Sequence, residues 1–189
     1  MSTLKYRTDL AGPLMLVLSL GLVSCASPPD SGFSTAPSQG PGLGRVASAS
    51  LLQRMDRSIM SNGEGLPAGS GTVAQGEKVY AAKCLSCHGD KGQGRPADPL
   101  VGGIGSLKTE RPIRTVGSYW PYASTLFDYT RRAMPANAPM SLSDDETYAL
   151  SAYILYLNGI IAEKEIMNAN TLAQVSMPNR AGFIDYSAR

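Results

Sequence analysis

Cys84-Leu85-Ser86-Cys87-His88 is the stretch of this sequence whose residue types and spacing prescribe a definite chemistry. Positions three apart lie about one turn apart on a helix. Both thiols can then bond vinyl groups on one edge of a single haem, and the adjacent imidazole falls below the iron. This CxxCH pattern reads as a c-type haem attachment site. A structural zinc site wants four ligands, and only these three are close in sequence. A thioredoxin-like CxxC needs βαβ surroundings, which are missing. A plain disulfide would leave His88 without a role. The expected cofactor is one covalent haem c. His88 is the only histidine in the chain, so paired histidine ligation within the chain is excluded. The sixth iron position is left to methionine, to another donor, or open.

The elements around the motif must position it. Thr72 caps an expected helix over residues 72–83, with Val73, Gly76, Val79 and Tyr80 on one face, and this helix delivers the motif at its end. Upstream, Leu51, Leu52, Met55 and Ile59 recur at helical spacing behind Ser48, a candidate cap, and a glycine-rich stretch at residues 62–71 intervenes. Residues 89–122 are rich in glycine and proline and read as loop. Residues 123–133 read as a helix carrying Leu126, Phe127 and Tyr129. Ser143-Asp144-Asp145-Glu146 forms a capping-box pattern. It opens a strongly apolar helix through Tyr148, Leu150, Ala152, Tyr153, Leu155, Tyr156 and Leu157, which Asn158-Gly159 ends. No β-type alternation and no internal repeat is found. The expected fold class is all-α, a few helices around one haem.

The ends of the chain carry other signals. Lys5 and Arg7 precede a 14-residue apolar run at residues 10–23, which is signal-peptide length and short for a membrane span. Leu22-Val23-Ser24-Cys25 has the look of a bacterial lipobox. Cys25 is then lipidated after removal of residues 1–24, the alternative being ordinary cleavage beside Ser24 and Ala26. Both imply export, where covalent haem attachment is at home. The Ser/Pro/Gly-rich segment up to residue 42 cannot bury enough apolar surface to order itself, and reads as a tether. Residues 43–160 are expected to form the haem domain with an N-terminal extension, and residues 161–189 a tail wrapped over the core. Hydrophobic content is 43% and formal net charge +2, which suits a globular core and argues against a nucleic-acid partner.

With these elements in place, the sequence resembles a class I cytochrome c, and more narrowly the cytochrome subunits of bacterial sulfite and sulfane dehydrogenases. The resemblance is carried by residues 65–71, 76–89, Thr115-Val116-Gly117-Ser118-Tyr119-Trp120-Pro121-Tyr122, Met134-Pro135, residues 148–159 and Met177-Pro178-Asn179-Arg180. The Tyr-Trp-Pro-Tyr stretch narrows it most. The resemblance implies that Gly76 and Tyr80 meet Tyr153 where two helices cross. It implies that the Pro99 carbonyl accepts a hydrogen bond from His88 Nδ1–H. It also places Tyr119 and Trp120 beside the haem near its propionates, with Arg111 or Arg114 as a charge partner.

Cytochromes of this shape draw the second iron ligand from the C-terminal side of the motif. That sets Met55 and Met60 aside and leaves Met134, Met140, Met167 and Met177. Met134 follows one expected helix, in a loop that can reach the distal face, and Pro135 restricts the backbone behind it. Met140 shares the loop and is its rival; Met177 lies beyond the last core helix. A methionine ligand raises the potential, as suits an electron carrier. The implied function is single-electron transfer in the periplasm. A molybdenum-containing sulfite or sulfane dehydrogenase subunit would donate, and a downstream cytochrome or oxidase would accept. A haem with an open sixth site, peroxidase-like or gas-binding, is the alternative from another class. A carrier serving an unrelated dehydrogenase is a third.

Overall fold

Two capping boxes set the ends of the two helices that build the centre of the molecule. In the computed structural model, which describes residues 44–184, helix α2 spans Val73–Lys83. Thr72 Oγ1 accepts the Gln75 N–H at 3.2 Å, and Gln75 Oε1 accepts the Thr72 N–H at 2.9 Å. A later helix, Asp144–Leu157, starts the same way: Ser143 Oγ accepts the Glu146 N–H at 3.1 Å, and Glu146 Oε2 accepts the Ser143 N–H at 3.0 Å. Three carboxylates in its first turn, Asp144, Asp145 and Glu146, also oppose the positive end of the helix dipole.

In chain order the described elements are α1 (Ala49–Met55), β1 (Ser70–Thr72), α2, α3 (Leu85–His88), a 3-10 turn at Ser106–Lys108, α4 (Ala123–Ala133), α5 (Asp144–Leu157), β2 (Ile166–Asn168) and α6 (Ala169–Ala173). The chain forms two units, Met1–Val46 and Ala47–Arg189, and all the described helices belong to the second. The proposed leader, Cys25 and the tether lie outside the described residues. Among those described, no helix is long and apolar enough to cross a membrane.

Helix α5 is the axis of the core. From Thr147 to Leu155 it is buried all round, as its near-continuous apolar sequence requires. Helix α4 buries only Ala123, Ser124, Leu126, Phe127 and Thr130, and Phe127 packs on Tyr148 with ring centroids 4.4 Å apart. Burying a side chain such as Phe127 or Leu150 stabilises by about 1.5–3 kcal/mol. Helix α2 crosses α5 closely because Gly76 carries no side chain. A Cβ there would sit against the Ala149 carbonyl and 2.7 Å from Tyr153 Cβ. One turn on, the Tyr80 and Tyr153 rings pack at 5.3 Å. The crossing implied by the resemblance is therefore present.

Two features depart from the sequence reading. The fold is helical, yet β1 and β2 form a short antiparallel ribbon, pairing Ser70 with Asn168, Gly71 with Met167 and Thr72 with Ile166. With three residues in each strand, no alternation is long enough to read. The ribbon lies on α5: Asp145 Oδ1 accepts the Ser70 N–H at 2.8 Å, and a Cβ on Gly71 would strike the Ala149 backbone. Helix α1 does form behind Ser48, but its Leu51, Leu52 and Met55 are exposed; their spacing predicts the helix and not its burial. Beyond α5, Ile161, Met167, Leu172 and Met177 all join the core.

Candidate haem site

Helix α2 ends at Lys83, and Cys84 caps it with its own N–H still donating to the Tyr80 carbonyl at 2.8 Å. The chain turns directly into α3, so Cys87 and His88 follow within one further turn. The Cys87 and His88 N–H groups both donate to the Cys84 carbonyl, at 3.1 and 3.0 Å. Cys84 is half-buried, Cys87 is exposed, and both are free thiols. Burial pushes the Cys84 thiol up to about 11, against a downward pull from Lys83 and with an upward push from Cys87. It is thus neutral at pH 7. That is the reverse of a redox-active CxxC, whose attacking cysteine needs a depressed pKa.

His88 is half-buried, and its Nδ1 lies 3.0 Å from the carbonyl oxygen of Asp98. This corrects the expectation of a bond to the Pro99 carbonyl. The shift of one residue follows from how the loop is tied. Ala97 N–H donates to the Cys87 carbonyl at 2.9 Å and Leu100 N–H to the Gly92 carbonyl at 2.7 Å, which leaves the Asp98 carbonyl facing the ring. Pro99 itself is half-buried in the same loop. With Nδ1 as the donor, Nε2 keeps its lone pair for a metal. Two free thiols one turn apart and an imidazole oriented through Nδ1 are the donor set that a covalent haem requires. Among the described residues, no three of His, Cys, Asp and Glu gather as a separate metal-ligand cluster.

Tyr119 and Trp120 are half-buried at the end of a tightly bonded turn. There Ser118 Oγ accepts the Thr115 N–H at 2.8 Å, and Thr115 Oγ1 donates to the Gly102 carbonyl at 2.7 Å. Arg114 lies over the Tyr119 ring at 5.5 Å, while Arg111 is exposed. Trp120 meets Tyr129 of α4 edge-on at 5.5 Å. The C-terminal segment secures this region: Asn179 Nδ2 donates to the Tyr119 carbonyl at 2.6 Å, Arg180 lies 4.4 Å over the Tyr122 ring, and Phe183 packs edge-on against Tyr119.

Met134 is half-buried where α4 stops, its N–H donating to the Thr130 carbonyl at 3.1 Å. Met140 is 50% exposed and sits at φ 62°. Met167 and Met177 are 1% and 2% exposed within the core.

Two side chains at the site escaped sequence reasoning. The Tyr80 hydroxyl donates to the Gly89 carbonyl at 2.7 Å, although Tyr80 reads only as a packing residue. Asn158 reads only as a helix stop, yet its buried amide donates to the Leu100 carbonyl at 3.1 Å. The signal available was a polar atom on an otherwise apolar helix face.

Comparison with known proteins agrees with this geometry. Residues 73–158 match the Cytochrome c family. A chain of the crystal structure of the sulfane dehydrogenase SoxCD from Paracoccus pantotrophus is 42% identical, with a TM-score of 0.73 over 77% of this chain and 72% of that one. The thiosulfate dehydrogenase of Stutzerimonas stutzeri (strain A1501) is 29% identical over 93 residues, 47% of this chain. The match spans only 28% of that protein's length. The chain belongs to the cytochrome c family, with covalently bound haem c as its cofactor and electron transfer as its role.

Proposed function

We propose that this chain is an exported, lipid-tethered carrier of single electrons. It takes them from a molybdenum-containing dehydrogenase that oxidises sulfite or sulfane sulfur, and passes them to a downstream cytochrome or oxidase in the periplasm. The observation that carries the partner assignment is the 42% identity over 72% of the SoxCD chain. In this reading Cys84 and Cys87 hold the haem by thioether bonds, His88 Nε2 and the Met134 sulfur are the axial ligands, and Pro99, Tyr119 and Trp120 border the group. The haem iron supplies the one-electron chemistry. The chain supplies ligands that hold still, an apolar surround, and a small surface for brief redox encounters.

Four observations support Met134. Met167 and Met177 are committed to the core. Met55 and Met60 are exposed and precede the motif. Met140 is 50% exposed in the loop beyond Met134. Met134 stands at a fixed helix end, half-covered.

The test is a spectrum of the haem-loaded protein. A low-spin ferric haem with the weak far-red band of methionine–iron ligation is expected, and Met134→Ala abolishes the band while Met140→Ala leaves it. The opposite pattern assigns the ligand to Met140. A high-spin haem that binds carbon monoxide readily in the wild type would sink the methionine-ligated reading altogether. Rapid reduction by a sulfite- or sulfane-oxidising molybdenum dehydrogenase in stopped flow tests the partner, and slow second-order reduction would refute it. Intact mass of the mature protein reports whether Cys25 carries lipid.

A further inference from the structure

The loop from His88 to Leu100 is tied to itself through backbone. Gly94 N–H donates to the His88 carbonyl at 2.8 Å, Ala97 N–H to the Cys87 carbonyl at 2.9 Å, and Leu100 N–H to the Gly92 carbonyl at 2.7 Å. Two buried side chains reach this loop from the helical core, one at each end and each from a different helix. At the start, Tyr80 of α2 donates its hydroxyl to the Gly89 carbonyl at 2.7 Å. At the finish, Asn158 at the end of α5 donates Nδ2 to the Leu100 carbonyl at 3.1 Å and to the Ile154 carbonyl at 2.9 Å. Between them lies Asp98, whose carbonyl faces His88 Nδ1 at 3.0 Å.

Packing alone does not account for these two residues. Tyr80 is 1% exposed and Asn158 9% exposed, and a buried hydroxyl or amide is unfavourable unless it is bonded. Phenylalanine would keep the ring contact with Tyr153, and leucine would fill most of the amide's space. Asn158 even carries a penalty that leucine would not: its Oδ1 is buried without a hydrogen-bond partner. What the polar atoms contribute, and apolar substitutes would lack, is the hold on Gly89 and Leu100.

We propose that Tyr80 and Asn158 are positioning residues for His88, fixing from two helices the loop that presents the Asp98 carbonyl to Nδ1. The proposal rests on His88 being the iron ligand. A ring whose Nδ1–H is held on a carbonyl is oriented and is a more basic ligand. A more basic ligand favours the oxidised state, and ligand and hydrogen-bond changes of this kind move haem potentials. Releasing either end of the loop weakens that hold and shifts the midpoint potential upward.

The experiment compares Tyr80→Phe and Asn158→Leu with wild type, all full-length and haem-loaded. Tyr148→Phe serves as control, because it too removes a buried hydroxyl from a carbonyl, that of Pro67 at 2.8 Å, away from the His88 loop. Redox titration gives the midpoint potential, and paramagnetic NMR gives the hyperfine-shifted haem-methyl and ligand-ring resonances. Tyr80→Phe and Asn158→Leu are expected to raise the potential and redistribute the hyperfine shifts. Tyr148→Phe is expected to lose stability with both readouts at wild-type values. Should Asn158→Leu fail to fold, Tyr80→Phe decides alone, since it deletes one oxygen and keeps the ring. Wild-type potential and hyperfine pattern in Tyr80→Phe, or equal shifts in the control, would overturn the proposal. Failure of the underlying reading shows separately, as a wild-type haem spectrum without the signature of histidine ligation, since His88 is the only histidine that could supply it.

Discussion

Gly76→Ala tests the helix crossing that carries the haem motif, and its size can be worked from the structure. The added Cβ meets the Ala149 carbonyl and lies 2.7 Å from Tyr153 Cβ. Neither obstacle is the far end of a flexible side chain. One is helix backbone and the other is the first atom of a buried residue, so α2 and α5 must separate. Overpacking of this kind costs about 1–3 kcal/mol. Disturbing the Tyr80–Tyr153 pair adds about 0.5–1.5 kcal/mol. Alanine gains back about 1 kcal/mol over glycine through helix propensity. The crossing term wins, with net destabilisation of about 0.5–3.5 kcal/mol. In a domain of this size that lowers Tm by about 2–12 °C. Thermal and urea melts of the haem-loaded variant, followed both by far-ultraviolet circular dichroism and by haem absorption, measure it. A variant as stable as wild type, or more so, would mean that propensity has prevailed and that the helices do not meet at Gly76.

The Lys83–Glu146 ion pair, 2.6 Å long, joins the last turn of α2 to the first turn of α5. The Lys83 hydrogen bond, then the Ser143 N–H, hold the Glu146 carboxyl below its ordinary value of 4.5. A depressed carboxylate stabilises the fold above that value, and the contribution fades as pH falls through the lowered one. Glu146→Gln, which can still accept the Ser143 N–H, is therefore expected to lie below wild type in urea midpoint at pH 7 and to converge with it in acid. A gap independent of pH would refute the charge argument. Asn179→Ala removes the donor to the Tyr119 carbonyl and is expected to cost about 1 kcal/mol. It should also alter the emission of Trp120, the sole tryptophan. Wild-type values in both would show that the C-terminal segment does not secure the Tyr119–Trp120 turn.

What could be read from sequence was local. The thiol and imidazole spacing of Cys84 to His88 follows from one turn of helix. The Ser143–Glu146 capping box and the Thr72 cap are legible within a few residues, although Gln75's half of the Thr72 box emerges only in the structure, and the helix over 123–133 falls where its pattern puts it. The unread features are those set by contacts distant in sequence. The ribbon depends on Gly71 and Met167 meeting over α5. The carbonyl facing His88 belongs to Asp98 because of how Gly92 and Cys87 tie the loop, and no residue type signals that offset. The apolar spacing of Leu51, Leu52 and Met55 specifies a helix correctly, but the side chains find nothing among the described residues to bury them. Periodicity fixes which side chains share a face; only the tertiary fold decides whether that face is covered.

The same two helices thus bear on stability and on the site. Helix α2 ends in Cys84 and carries Tyr80; helix α5 carries Tyr153 and ends in Asn158. Their close approach, Gly76 against Ala149, bears on how far apart Tyr80 and Asn158 stand, and so on the span of the His88 loop held between them. A carrier must change charge without changing shape. Placing the His88 loop between two hydrogen bonds from one rigid helix pair meets that need better than bonds from within the loop, because packed helices have few alternative arrangements. It follows that substitutions at the crossing should disturb stability and potential together. Substitutions on the exposed face of α1 should disturb neither.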